Sequence, residues 1–102
     1  MNGVQSKLKS KDLDFLFEAI LKLEDINECY SFFEDICTIS ELKALAQRLH
    51  VARMLRDKKT YTEIAEETNA STATISRVNR CLNYGADGYN AILDKLEENK
   101  EI

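Results

Sequence analysis

An all-α chain of six short helices is predicted by three observations. Proline is absent and glycine is confined to Gly3, Gly85 and Gly88, so little interrupts helical backbone over 102 residues. Alanine, leucine, glutamate and lysine, all strong helix formers, are plentiful. Apolar side chains recur at intervals of three and four, in runs introduced by Ser, Thr or Asp, several with a glutamate three residues further on. No strand, internal repeat or low-complexity linker is expected. The length suits one small domain or one subunit of an oligomer.

Residues 1–9, with Lys7 and Lys9, read as a flexible N-terminal arm. Ser10 caps a first helix predicted over residues 11–23. Its face of Leu13, Leu16, Phe17, Ile20 and Leu21, widened by Phe15 and Leu23, is broader than a surface helix of a small monomer needs. Asp25 with Glu28 forms a capping box for a second helix ending near Ile36, striped by Cys29, Phe32, Phe33 and Ile36, with Tyr30 beside them. Thr38 with Glu41 opens a third helix ending near Arg56, predicted to bury Leu42, Leu45, Leu49, Ala52 and Leu55. Asp57-Lys58-Lys59 is a charged turn.

The stretch from Thr60 to Arg80 organises the rest. Thr60 with Glu63 is a capping box, and Ile64, Ala65 and Thr68 then point inward. Asn69 tolerates the left-handed conformation that ends a helix, and Ala70 is small enough to sit under a turn. Ser71 or Thr72 caps a second helix that buries Ile75, Val78 and Leu82 and exposes Thr72, Ala73, Ser76, Arg77 and Arg80. This is the pattern of a helix-turn-helix. Gly85 is read as the left-handed stop of that helix, and Asp87 as the cap of a last one carrying Ile92, Leu93 and Leu96. A folded domain is therefore expected over residues 10–97, followed by a frayed tail at 98–102.

The exposed face of the second motif helix suits a DNA groove. Ala73 and the methyls of Thr72 and Thr74 can meet thymine methyls. The hydroxyls of Ser71, Thr72 and Ser76 can reach base edges or phosphates, and Arg77 or Arg80 can pair with guanine or phosphate. No acidic residue lies between Ser71 and Ala86. Thr62, Arg56, Lys58 and Lys59 complete the candidate DNA-binding set. The net charge of −4 hides an uneven distribution. Residues 43–59 hold Lys43, Arg48, Arg53, Arg56, Lys58 and Lys59 against Asp57 alone, whereas residues 1–42 hold four lysines against nine carboxylates. Local field matters more than net charge for phosphate binding.

Other classes are less well served. Cys29, Cys37 and Cys81 lack C-x-x-C spacing and read as reduced core thiols. His50 reads as a helix-surface residue with no evident partner. No metal-ligand cluster, phosphate loop or nucleophile–base pair is present, so no enzyme and no catalytic or metal site is expected. No apolar run spans a membrane and no signal-peptide region is seen, which places the chain in the cytoplasm. The alternative is a helical protein-interaction module that docks a partner protein through the hairpin, which the acidic N-terminal third would also fit. The apolar surplus of the first two helices and the last is best covered by an interleaved homodimer, whose two motifs would meet half-sites one helical turn apart.

Thr38-Ile39-Ser40-Glu41, Ala44-Leu45, Arg48, Arg53-Met54-Leu55-Arg56 and Ala70-x-x-Ala73-Thr74-Ile75-Ser76-Arg77 together resemble the Trp repressor family. The strings Ala46-Gln47-Arg48-Leu49, Ser71–Val78 and Arg80-Cys81-Leu82-Asn83-Tyr84-Gly85 resemble its YerC/YecD branch in particular. The resemblance covers residues 10–97. It implies an intertwined dimer that represses transcription by laying its second motif helix in the major groove of double-stranded DNA. It also implies an effector pocket at Thr38, Arg48, Arg77, Val78 and Cys81. Two of those positions depart from the family: Val78 stands where a glycine leaves room for tryptophan, and Cys81 where a serine would bond it. Tight tryptophan binding is not expected, no cofactor is required, and any small-molecule effector is unknown. Without a ligand, Arg48 and Arg77 would pair with Glu63 or Glu67, or contact phosphate.

Overall fold

The computed structural model describes residues 6–100, with side chains through Glu98, and contains six helices. The chain divides into two compact units, residues 1–38 and 39–102.

The first unit holds α1 (Lys11–Leu21) and α2 (Ile26–Ile36). Ser10 Oγ accepts from the Leu13 N–H at 3.1 Å, so the predicted cap is in place. Asp25 likewise accepts from Glu28 N–H at 2.8 Å, but Glu28 returns its carboxylate to Glu24 N–H rather than to Asp25. Phe32 and Phe33 meet edge to face with centroids 5.3 Å apart. Neither helix buries a residue: Phe15 is 74% exposed, Leu21 83% and Ile26 73%. Of the arm, residues 1–5 lie outside the described residues. Ser6 instead turns the chain, accepting from Leu8 and Lys9 N–H, and Lys9 pairs with Asp14 at 2.7 Å.

The second unit packs α3 (Ile39–Arg56), α4 (Tyr61–Thr68), α5 (Thr72–Tyr84) and α6 (Gly88–Lys100) around one core. Val51, Ala52 and Met54 from α3 meet Ile64 from α4, Ala70 from the turn, Ile75 and Val78 from α5, and Leu93 from α6. The stripe expected on α3 is therefore displaced. Leu45 and Leu49 are exposed, while Val51 and Met54 take the buried positions. The cause is where α4 ends: Gln47 Nε2 donates to Thr68 C=O at 3.0 Å and His50 Nε2 lies 3.2 Å from Glu67 Oε2. Gln47 and His50 share a face of α3 with Val51 and Met54, so these bonds hold that face against the motif. His50 thus has a partner that its sequence neighbours do not reveal. α6 is helical through Lys100, and residues 101–102 lie outside the described residues.

Candidate nucleic-acid interface

The motif is assembled by short-range bonds. Thr60 Oγ1 accepts from Glu63 N–H at 3.1 Å and Glu63 Oε1 accepts from Thr60 N–H at 2.8 Å, a complete capping box. These bonds hold the Glu63 carboxyl below its ordinary range, with Lys59 adding a smaller electrostatic contribution. Asn69 ends α4 in the left-handed region at φ 61°, and Thr68 Oγ1 braces the turn by donating to Ile64 C=O and accepting from Ala70 N–H. Ser71, not Thr72, caps α5: its Oγ accepts from Thr74 N–H and donates to Thr74 Oγ1, both at 3.1 Å.

α5 then buries Ile75 and Val78 and half-buries Leu82, as its spacing predicts. Thr72, Ala73, Arg77 and Arg80 are exposed together, with Ser76 and Thr74 half-buried beside them. Arg77 and Arg80 make no ion pair with a described residue. Ser71 and Thr62 are also exposed, Thr62 on the first turn of α4.

The basic turn before the motif divides into two roles. Lys58 and Lys59 are exposed. Lys59 N–H donates to Met54 C=O at 3.1 Å and Lys58 N–H to Leu55 C=O at 3.0 Å, closing α3 with Lys58 left-handed at φ 66°. Arg56 is committed elsewhere. Its guanidinium donates to Asn90 C=O at 3.0 Å and to Asp94 Oδ1 at 2.6 Å, with Glu97 at 3.6 Å, so it ties α3 to α6 rather than standing ready for phosphate. The Asp94 bond holds its pKa above the ordinary arginine value.

The far end of α5 also differs from expectation. Gly85 is not left-handed: its φ is −88° and its N–H donates to Cys81 C=O. Glycine is needed there because a Cβ would lie 2.6 Å from that same carbonyl oxygen. The left-handed residue is Asp87, at φ 70°, and its carboxylate accepts from Asn90 Nδ2 at 3.1 Å. Asn90 Nδ2 also donates to Leu82 C=O, so one amide joins the end of α5 to the start of α6. Gln47, Asn90 and Asp94, absent from the sequence-derived set, hold the motif in place. Their partners lie 21, 8 and 38 residues away, a separation no local pattern records.

A sequence model of the family described as Trp repressor protein matches residues 11–97. The chain belongs to the Trp repressor family. The uncharacterised protein YerC of Bacillus subtilis (strain 168) is 62% identical to it over 92 residues, covering 90% of this chain and 88% of YerC. Among solved structures, a TrpR-like protein from Eubacterium eligens ATCC 27750 superposes with a TM-score of 0.86 at 58% identity, covering 89% of this chain and 94% of its own. A proposed Trp repressor from Staphylococcus aureus superposes with a TM-score of 0.86 at 53% identity, covering 89% and 91%. The all-α, Trp repressor-like fold is thereby established, and with it membership of a family of regulators.

Five positions are candidates for an effector pocket by resemblance to the Trp repressor family: Thr38, Arg48, Arg77, Val78 and Cys81. Val78 is fully buried in the core, so its branched side chain occupies space that a glycine would leave open. Cys81 is exposed rather than buried, and all three thiols are free. The cavity that Cys81 lines is built with Leu49, Ala86, Asp87, Gly88, Tyr89 and Ile92, not with either candidate arginine. Arg48 is half-buried, and neither it nor Arg77 pairs with Glu63 or Glu67, whose carboxylates serve Thr60 and His50. Thr38 belongs to the first unit, as its last residue, immediately before α3. Among the described residues no group of His, Cys, Asp and Glu could hold a metal ion, and no helix is long and apolar enough to cross a membrane.

Proposed function

We propose that this chain is a sequence-specific DNA-binding transcriptional regulator, a repressor, that works in the cytoplasm as a homodimer and lays α5 in the major groove. The observation that carries the reading is the exposed side of α5. Thr72 and Ala73 are displayed at its N-terminal end, and Arg77 and Arg80 follow without an ion pair to any described residue. Base edges would be met by Thr72, Ala73 and Ser76. Phosphates would be held by Lys58, Lys59, Arg77 and Arg80, with Ser71 and Thr62 at the rim of the contact. Arg56 drops out of the phosphate set because its guanidinium serves α6.

Dimerisation is supported by apolar surface. α1 and α2 bury no residue, and α3 and α6 leave Leu45, Leu49, Ile92 and Leu96 exposed. A single chain this short gains too little from the remaining core to carry that exposure. Tryptophan is not the effector on this reading, since buried Val78 and exposed Cys81 supply neither room nor a good hydrogen-bond partner.

Equilibrium binding of the full chain to a random duplex across a salt series tests the reading. Log affinity falls linearly with log salt if phosphates are neutralised. Absence of binding even at low salt refutes DNA recognition and favours a module that docks only protein. Sedimentation of the same sample should return a dimer. Titration with tryptophan should leave duplex affinity unchanged.

A further inference from the structure

The N-terminal turn of α5 constrains which duplex sequence it can select, given the DNA-binding reading above. From Ser71 to Ser76 there is no Asn, Gln, Asp, Glu, Arg, Lys or His, the side chains that distinguish bases by hydrogen bonds. Two hydroxyls in the turn are already committed to each other. Ser71 Oγ accepts from Thr74 N–H and donates to Thr74 Oγ1, both at 3.1 Å. Thr74 and Ser76 are also half-buried, which leaves Thr72 and Ala73 as the exposed side chains at the reading end after the cap. Thr72 offers a hydroxyl, but a hydroxyl donates and accepts alike and discriminates poorly between bases. What Thr72 and Ala73 share is a methyl group. Their shortness lets the helix approach the base edges closely, where thymine presents the one apolar group in the groove, its C5-methyl.

We infer that Thr72 and Ala73 are specificity-determining residues that select thymine by methyl–methyl contact, so that each operator half-site sets thymines against the first turn of α5. Arg77 and Arg80, further along the same face, would fix the register on phosphate. The inference rests on α5 being the groove-reading helix and adds which group in the groove it reads.

The test uses the full chain and duplexes recovered from a randomised pool. Each thymine of the recovered site is replaced by deoxyuridine, singly and then symmetrically, which removes only the C5-methyl. At one or two positions per half-site the affinity should fall about fourfold per methyl, and about 16-fold for a symmetric pair, the worth of one or two buried methyl-sized groups. Thr72→Ser, which keeps the hydroxyl and drops the methyl, should abolish the thymine-over-uracil preference at its position, and Ala73→Gly should do so at the neighbouring one. A recovered site that outcompetes random DNA yet tolerates every uracil overturns the inference and leaves DNA recognition standing. A preference that persists in both variants also overturns it. Failure to bind any duplex removes both together.

Discussion

Lys58 holds two properties that pull against each other, and separating them tests the cap and the interface together. Its backbone sits at φ 66°, where the chain leaves α3, and its N–H and that of Lys59 satisfy the carbonyls of Leu55 and Met54. A side chain bearing Cβ pays roughly 1–2 kcal/mol to stand in that region. Lys58→Gly removes the strain but loosens the unfolded chain, a cost of about 0.4–1 kcal/mol. The difference, about 0–1.6 kcal/mol and centred near 0.8, leaves the glycine variant the more stable. In a domain of this size the central value corresponds to a thermal midpoint raised by about 3–6 °C. Lys58→Ala keeps the Cβ and the strain, and at an exposed position it should stay within about 0.5 kcal/mol of the parent. Both variants lose the cation. With one phosphate contact per subunit in a dimer, the slope of log affinity against log salt should become less steep by about 1.8. The advantage of the parent protein would then shrink about tenfold between about 50 and 200 mM salt. Denaturant unfolding at fixed protein concentration reads the first quantity, and fluorescence anisotropy on a random duplex the second. A destabilised glycine variant refutes the account of the cap. An unchanged salt slope in the alanine variant removes Lys58 from the interface.

Gly85→Ala should destabilise the protein by roughly 1–3 kcal/mol, because the new Cβ meets the Cys81 carbonyl oxygen at 2.6 Å and that oxygen cannot move without losing the Gly85 N–H; chemical denaturation checks this, and an unchanged midpoint would show that the end of α5 yields freely. Glu63→Gln should flatten the acid limb of the stability curve. The folded-state pKa of Glu63 is lowered by its bonds to Thr60, so the stability it contributes is present above the ordinary value of 4.5 and is lost as pH falls through the lower folded value. Unfolding midpoints measured from neutral pH down through that window distinguish the two proteins, and parallel curves would contradict the assignment. Arg56→Ala should release α6, seen as faster amide hydrogen exchange over residues 88–98, while leaving the salt slope of duplex binding as it was. A shallower slope would return Arg56 to the phosphate set.

What the sequence makes legible is whatever is decided within about one helical turn. Ser10, Asp25, Thr60 and Ser71 each cap the helix they precede, and Asn69 is left-handed, because the bonded atoms are two to four residues apart. The buried face of α3 is not decided locally. Leu45 and Leu49 match a helical stripe as well as Val51 and Met54 do, and only the position of α4, pinned by Gln47 and His50, selects between them. Gly85 illustrates a subtler failure. Glycine after a helix usually signals a left-handed residue, but here it answers a close approach to a carbonyl, and the left-handed turn falls two residues later on Asp87.

The candidate interface divides along the same line. The exposed side of α5 is legible because it is defined by residue types on a single helix and by the absence of carboxylates from Ser71 to Ala86. The basic cluster before it is not, because charge alone does not say where a cation's partner lies. Arg56 and Lys58 stand two residues apart and look interchangeable as phosphate ligands. Yet Arg56 falls on the α6 side of its helix and finds Asp94, while Lys58, past the last turn, is carried into solvent by its left-handed backbone. A glycine would close α3 more comfortably, so Lys58 carries a backbone strain that the fold itself does not require.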